Sequence, residues 1–86
     1  MHTDEYEISL LREVGVCSGS IRALQHTLQR LEKKYHLTSE EVIKGDGASA
    51  RVDGRDRQQW LESYRELISW QKRKTEFEEL YHQMKR

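Results

Sequence analysis

A heptad pattern of apolar residues constrains this chain more than any other sequence feature. Between residues 10 and 35 the apolar positions recur at alternating steps of four and three, as in a helix that packs lengthwise against another helix. The positions of this predicted seam are Leu10, Val14, Cys17, Ile21, Leu24, Leu28, Leu31 and Tyr35. The intervening residues are mostly polar, so the pattern predicts one long helix at about 4–35 with a single apolar stripe.

Two glycines interrupt this predicted helix. Gly15 and Gly19 lie in a stretch that also holds two serines, and a glycine lowers helix stability by about 1 kcal/mol relative to alanine. The alternatives are a helix that bends or breaks at 15–20 and a helix that continues through it. Because the heptad stays in phase across the gap, we favour a continuous or mildly bent helix.

A short second helix is predicted at about 39–44. Thr38 and Glu41 have the spacing of a capping box, and Leu37 and Val42 have that of a hydrophobic staple. Gly45 is a candidate C-terminal stop. The segment 45–54 holds three glycines and very few apolar side chains. It is therefore predicted to be a flexible loop.

A second long helix is predicted at about 55–85, and its stripe is strongly aromatic. Lys74 occupies one position of the stripe, whose other members are Trp60, Tyr64, Leu67, Trp70, Phe77, Tyr81 and Met84. If Tyr64 belongs to the stripe, the step from Leu67 to Trp70 is one residue too short for a continuous heptad. The pattern therefore predicts a stammer, a local break in the repeat, at this point.

Composition limits what these helices can build. Of the 86 residues 35% are hydrophobic and 35% are charged, and a mean hydropathy of −0.98 does not allow a thick core. Proline is absent, which favours uninterrupted helices. The sequence predicts one all-α domain at 1–86, a long, coiled-coil-like helical hairpin with a short connecting helix. An aromatic stripe this large exceeds what two helices bury, so dimerisation or a partner protein is expected to complete the fold.

Candidate catalytic and metal-binding groups are few. Cys17 lies on the predicted seam without a neighbouring histidine in sequence, which is typical of a cysteine that acts as a small apolar residue. Glu79 and His82 have the spacing of a Glu-x-x-His metal motif, but the chain holds one copy and neither residue lies on the stripe. We predict no enzyme activity, no cofactor and no metal. The chain has no long apolar run and no basic N-terminal region, so no membrane contact and a cytoplasmic location are expected.

The aromatic stripe of the second long helix favours protein–protein interaction. Tryptophan and tyrosine often dominate the energy of protein interfaces, because they combine a large apolar area with a polar tip. We predict that one face of this helix docks on a partner protein, on a second copy of the chain, or on both. The predicted contact residues are Trp60, Tyr64, Trp70, Phe77 and Tyr81.

Two alternative functions remain open. Lys72, Arg73 and Lys74 stand beside aromatic residues of the stripe, and interleaved basic and aromatic side chains are typical of single-stranded nucleic-acid binding. The equal numbers of basic and acidic residues, 15 of each, argue against it. The other alternative is a self-associating coiled-coil adaptor that uses the seam at 10–35.

Two stretches of the chain resemble a family of small uncharacterised prokaryotic helical proteins that are viewed as antitoxin-like. These stretches are LEKKYHLTSEEVIKG at 31–45 and RDRQQWLESYRELISWQKRKTEFEEL at 55–80, roughly half the chain. The matching residues are Glu32, Lys34, Tyr35, Ser39, Glu40, Glu41, Trp60, Tyr64 and Leu67. The resemblance implies a non-enzymatic binding protein of a two-gene toxin–antitoxin module, with the toxin as its partner.

Overall fold

The computed structural model describes residues 5–45 and 47–84 of the chain. Its elements are α1 (Glu5–Tyr35), α2 (Ser39–Ile43), a 3₁₀ helix (Gly47–Arg51) and α3 (Gly54–Met84), and the described ranges contain no strand. The long helices α1 and α3 pack against each other along a rod of 59 × 18 × 16 Å. The prediction of an all-α helical hairpin with a short connecting helix is confirmed.

Helix α1 runs without a break through its two glycines. Gly15 and Gly19 are exposed, and a Cβ atom on either would meet nothing within 4 Å. Cys17 lies between them and is completely buried. The seam contact at Cys17 therefore holds the helix together where its local propensity is lowest, so a break at 15–20 does not occur.

Every position of the predicted α1 seam lies against the rest of the molecule. Four positions are buried, namely Leu10, Cys17, Leu28 and Leu31. The other four are partly buried, namely Val14, Ile21, Leu24 and Tyr35. The four–three spacing thus correctly identified the packed side of α1.

The seam of α3 differs from the predicted stripe at one position. Ser63 is buried at 6% exposure and lies between the buried Trp60 and Leu67, whereas Tyr64 is only partly buried beside them. With Ser63 in the seam, the inward positions follow the heptad without interruption: 60, 63, 67, 70, 74, 77, 81 and 84. The predicted stammer is therefore wrong, because a search for apolar residues passes over a serine and selects its aromatic neighbour.

The best-packed core lies at the connecting end of the hairpin. Residues from α1, α2, α3 and the segments between these helices meet there. The buried members are Leu28, Leu31, Leu37, Val42, Val52, Trp60 and Leu67. The segment 45–54, predicted as a loop, contains the 3₁₀ helix and also buries Ser49 and Val52. A single valine among glycines carries no periodic signal, so its place in the core depends on the tertiary fold.

The short helix α2 has the predicted caps. The Thr38 hydroxyl accepts a hydrogen bond from the Glu41 backbone N–H at 3.2 Å and donates to the Glu41 carboxylate. Leu37 and Val42, the predicted staple, are both buried in the core. Gly45 has a positive φ of 74° and closes the helix from its C-terminal side.

The end of α1 has a backbone conformation that the sequence does not predict. His36 has φ 56°, in the left-handed region that disfavours residues with a Cβ atom. The turn allows the Leu37 backbone N–H to donate to the Glu32 carbonyl, 3.3 Å away. This is the terminal bond of a Schellman motif, and it directs Leu37 into the core.

Candidate functional site

A partly buried chain of hydrogen bonds anchors α2 on the two long helices. The Trp60 indole Nε1–H donates to the Ser39 hydroxyl at 2.8 Å. That hydroxyl donates to the Glu32 carboxylate at 2.9 Å, and the Ser39 backbone N–H donates to the same carboxylate oxygen at 2.8 Å. Each group is thus satisfied by another part of the fold, so this cluster is structural.

A second polar cluster joins the end of α1 to the start of α3. The Asp56 carboxylate accepts from the Lys34 ammonium at 2.7 Å and from the Tyr35 hydroxyl at 2.6 Å. Those two bonds hold the pKa of Asp56 below its ordinary value, and the bonds to Asp56 raise the pKa of Lys34 and of Tyr35. The Tyr35 oxygen also accepts from the Asp53 backbone N–H at 3.3 Å, so the cluster fixes where α3 begins.

Trp60 does not lie on a surface that a partner can reach. Its side chain is completely buried, its ring packs against that of Tyr35 at a centroid distance of 6.0 Å, and its N–H is bonded to Ser39. The prediction that Trp60 is a partner contact is therefore corrected. An aromatic stripe in sequence does not separate core residues from contact residues, because both occupy the same helix face.

Tyr64, another predicted contact residue, borders a shallow open groove beside the α1–α3 seam. The groove has a volume of 310 Å³ and is lined by Gln25, Leu28, Gln29, Glu32, Ser39, Glu40, Tyr64 and Leu67. Its Glu32 carboxylate already accepts from Ser39. The one hydroxyl–carboxylate pair of the lining, Ser39 with Glu32, is part of the hydrogen-bond chain that also holds the Trp60 indole.

The opposite end of the hairpin, which holds the N-terminal part of α1 and the C-terminal part of α3, is closed less completely. We call residues 5–17 and 70–84 the open end. Three predicted contact residues, Trp70, Phe77 and Tyr81, are partly buried there along the seam. The same two segments hold large apolar side chains that are 38–50% exposed, namely Tyr6, Ile8, Leu11, Val16 and Leu80. The heptad spacing does not select this second set, because these residues lie outside the seam.

The three basic residues of the nucleic-acid alternative do not form one surface. The Arg73 guanidinium lies 4.7 Å from the centroid of the Trp70 ring, Lys74 is partly buried at a seam position, and Lys72 is exposed. Consecutive helical residues are about 100° apart around the axis. The three charges therefore point in different directions and do not line up along a single nucleic-acid strand.

The described residues contain no candidate metal site. Over residues 5–45 and 47–84, no three side chains of the types His, Cys, Asp and Glu are grouped so that they could hold a metal ion. Cys17 is enclosed in the seam, and the His82 ring packs edge-on against Tyr81. In the same part of the chain, neither long helix contains a segment that is apolar enough over sufficient length to cross a bilayer.

Comparison with known proteins gives no relative from which an activity could be transferred. No protein-family model matches the chain. No curated protein and no solved structure matches it either.

Proposed function

We propose that the chain is a non-enzymatic protein-interaction module that docks a partner protein on the open end of the hairpin. The observation that carries the proposal is the exposure of large apolar side chains at that end. Leu11 and Val16 are each 49% exposed, and Tyr6 is 50% exposed. Apolar residues occur on several sides of this part of α1, which is typical of a helix that is enclosed by other protein.

The contrast between the two ends of the hairpin supports this position for the contact surface. At the connecting end, α2 and the 3₁₀ helix cover the seam, and Leu31 and Trp60 are completely buried. At the open end, only the two long helices are present in the described structure, and Trp70 and Phe77 stay partly exposed. An apolar surface of this kind frequently marks a protein-binding site.

The docking mode that fits this shape is helix packing in an apolar groove. Trp70, Phe77 and Tyr81 recur at the spacing of one helix face, and Leu80 lies beside them. From the resemblance to antitoxin-like proteins we infer that the partner is a toxin, and that the hairpin covers the toxin's functional site.

Purification of the tagged full chain from its native host tests the proposal. Leu80→Glu places a charge on the open end, and Ile43→Glu is its control, because the two side chains are 38% and 40% exposed at opposite ends of the molecule. A stoichiometric protein partner is expected with the native chain and with Ile43→Glu, and its loss with Leu80→Glu.

Analysis of RNA and DNA in the same eluate distinguishes nucleic-acid binding from protein binding. Recovery of RNA or DNA without a protein partner, with retention abolished by Lys72→Glu and Arg73→Glu, would replace the proposal by nucleic-acid binding. Equal protein recovery with Leu80→Glu and Ile43→Glu would remove the open end as the contact surface.

A further inference from the structure

The groove that Tyr64 borders carries negative charge. Glu32 and Glu40 belong to its lining, and no lysine or arginine does. Neither carboxylate is within salt-bridge distance of a basic side chain in the part of the chain that the structure describes. The groove therefore presents two negative charges without a counter-charge among these residues.

Glu32 is held in place through only one of its two carboxylate oxygens. The Ser39 backbone N–H and the Ser39 hydroxyl both donate to Oε2, at 2.8 Å and 2.9 Å. The other oxygen, Oε1, accepts no hydrogen bond from residues 5–45 and 47–84. A side chain whose position is already fixed loses little conformational freedom when it binds a further group. Glu32 is thus a preorganised acceptor with one oxygen still available.

Other polar groups of the lining also lack a partner among the described residues. They are the side-chain amides of Gln25 and Gln29, the Glu40 carboxylate and the Tyr64 hydroxyl. Amide oxygens and carboxylates accept hydrogen bonds, and the face of a tyrosine ring attracts a cation. The ligand that suits this lining is therefore a cation that carries several hydrogen-bond donors.

The size and shape of the groove favour a side chain of another protein over a free small molecule. Its volume of 310 Å³ lies at the lower end of the range for ligand sites, which is about 300–1,000 Å³. Such sites bury roughly 70–90% of the surface of a small molecule, which a shallow and open groove does not. A side chain that belongs to a partner protein is covered by the remainder of that protein, so an open groove is sufficient for it.

We propose that this groove binds an arginine side chain of a partner protein. A guanidinium group is planar, has five N–H donors and stacks on aromatic rings. Its donors bond to Glu32 Oε1 and to the Glu40 carboxylate, and its plane lies against the Tyr64 ring. The aliphatic stem of the arginine packs on Leu28 and Leu67, the apolar residues of the lining. This contact is separate from the open end, and it rests on the proposed function only in that the chain binds another protein.

Titration of the isotope-labelled full chain with a capped Ala-Arg-Ala peptide, followed by NMR, tests the proposal. Saturable shifts are expected in the side-chain amide signals of Gln25 and Gln29. The expected Kd is on the order of 1 mM, because a single side chain makes the contact. A capped peptide with citrulline in place of arginine has nearly the same shape without the charge. It is expected to bind at least about tenfold more weakly.

Glu40→Gln and Glu66→Gln form a matched pair of variants. Both glutamates are exposed, each change removes one negative charge, and Glu66 is not part of the groove lining. Glu40→Gln is expected to raise the Kd at least about fivefold, and Glu66→Gln less than about twofold, because exposed charges at a distance are screened. Tyr64→Leu, which keeps an apolar side chain without the ring, is expected to raise the Kd about threefold.

Absence of saturable shifts up to about 50 mM peptide would overturn the proposal, and so would equal binding of the arginine and citrulline peptides. Equal effects of Glu40→Gln and Glu66→Gln would show a general attraction that does not involve the groove. Tighter binding of free arginine than of the capped peptide would assign the groove to a free amino acid and overturn its assignment to a partner protein. The titration contains no partner protein, so its outcome is independent of whether the open end binds one.

Discussion

Replacement of Ser39 by alanine tests the buried hydrogen-bond chain that fixes α2 on the hairpin. The Ser39 hydroxyl accepts from the Trp60 indole N–H and donates to the Glu32 carboxylate. Ser39 is 5% exposed and Trp60 is completely buried, so the variant removes the protein partner of a buried indole N–H. Alanine fits the site by size, and the effect therefore reports on hydrogen bonding instead of packing.

The magnitude follows from the two bonds that are lost. A buried donor without a partner costs about 1–3 kcal/mol, and a hydrogen bond to a charged group contributes about 1.5–3 kcal/mol. The Ser39 backbone N–H still bonds to Glu32 in the variant, which reduces the second contribution. The expected loss in the free energy of unfolding is about 3 kcal/mol, which corresponds to a fall in Tm of roughly 12–24 °C for a domain of this size.

Urea unfolding followed by circular dichroism measures this loss. Ser69→Ala is the control, because Ser69 is exposed on α3 and its replacement is expected to change stability by less than about 0.5 kcal/mol. In a Trp60→Phe background the indole donor is absent, so the cost of Ser39→Ala should fall by about 1 kcal/mol or more. A cost below about 0.5 kcal/mol for Ser39→Ala in the native background would show that the Ser39 hydroxyl does not stabilise the fold.

Three further predictions concern single positions. His36→Gly should raise the free energy of unfolding by about 1 kcal/mol, because glycine adopts the φ of 56° without a Cβ penalty; a lower stability in urea unfolding would contradict this. The bonds to Asp56 lower its pKa below the ordinary value of 3.8. The stabilisation that these bonds give is therefore fully present above the ordinary pKa, and it is lost as the pH falls through the lower pKa of the folded state. Acid titration should therefore show a stability difference between the native chain and Asp56→Asn that shrinks towards low pH, and a constant difference would argue against it. Trp70→Ala should reduce recovery of the partner protein at least about tenfold while helix content is retained, and unchanged recovery together with unchanged self-association would remove Trp70 from the contact surface.

Features that depend on residues close to each other in the sequence were predictable from it. The seam of α1 follows from the four–three spacing, which any straight pairing of helices must satisfy. The limits of α2 follow from Thr38 and Gly45, because a helix cap is completed within a few residues. The apolar residues Tyr6, Ile8 and Leu11 at the start of α1 are also visible in the sequence, although the heptad spacing does not select them.

Features that depend on which residues face each other were decided by the tertiary structure. Ser63 belongs to the α3 seam, although a stripe drawn through apolar residues selects Tyr64. Trp60 is core, while Trp70 on the same helix stays partly exposed, because α2 and Val52 cover one end of the seam and not the other. Periodicity identifies the packed side of a helix, but burial at each position is set by the segments that the fold brings to it, and these are distant in sequence.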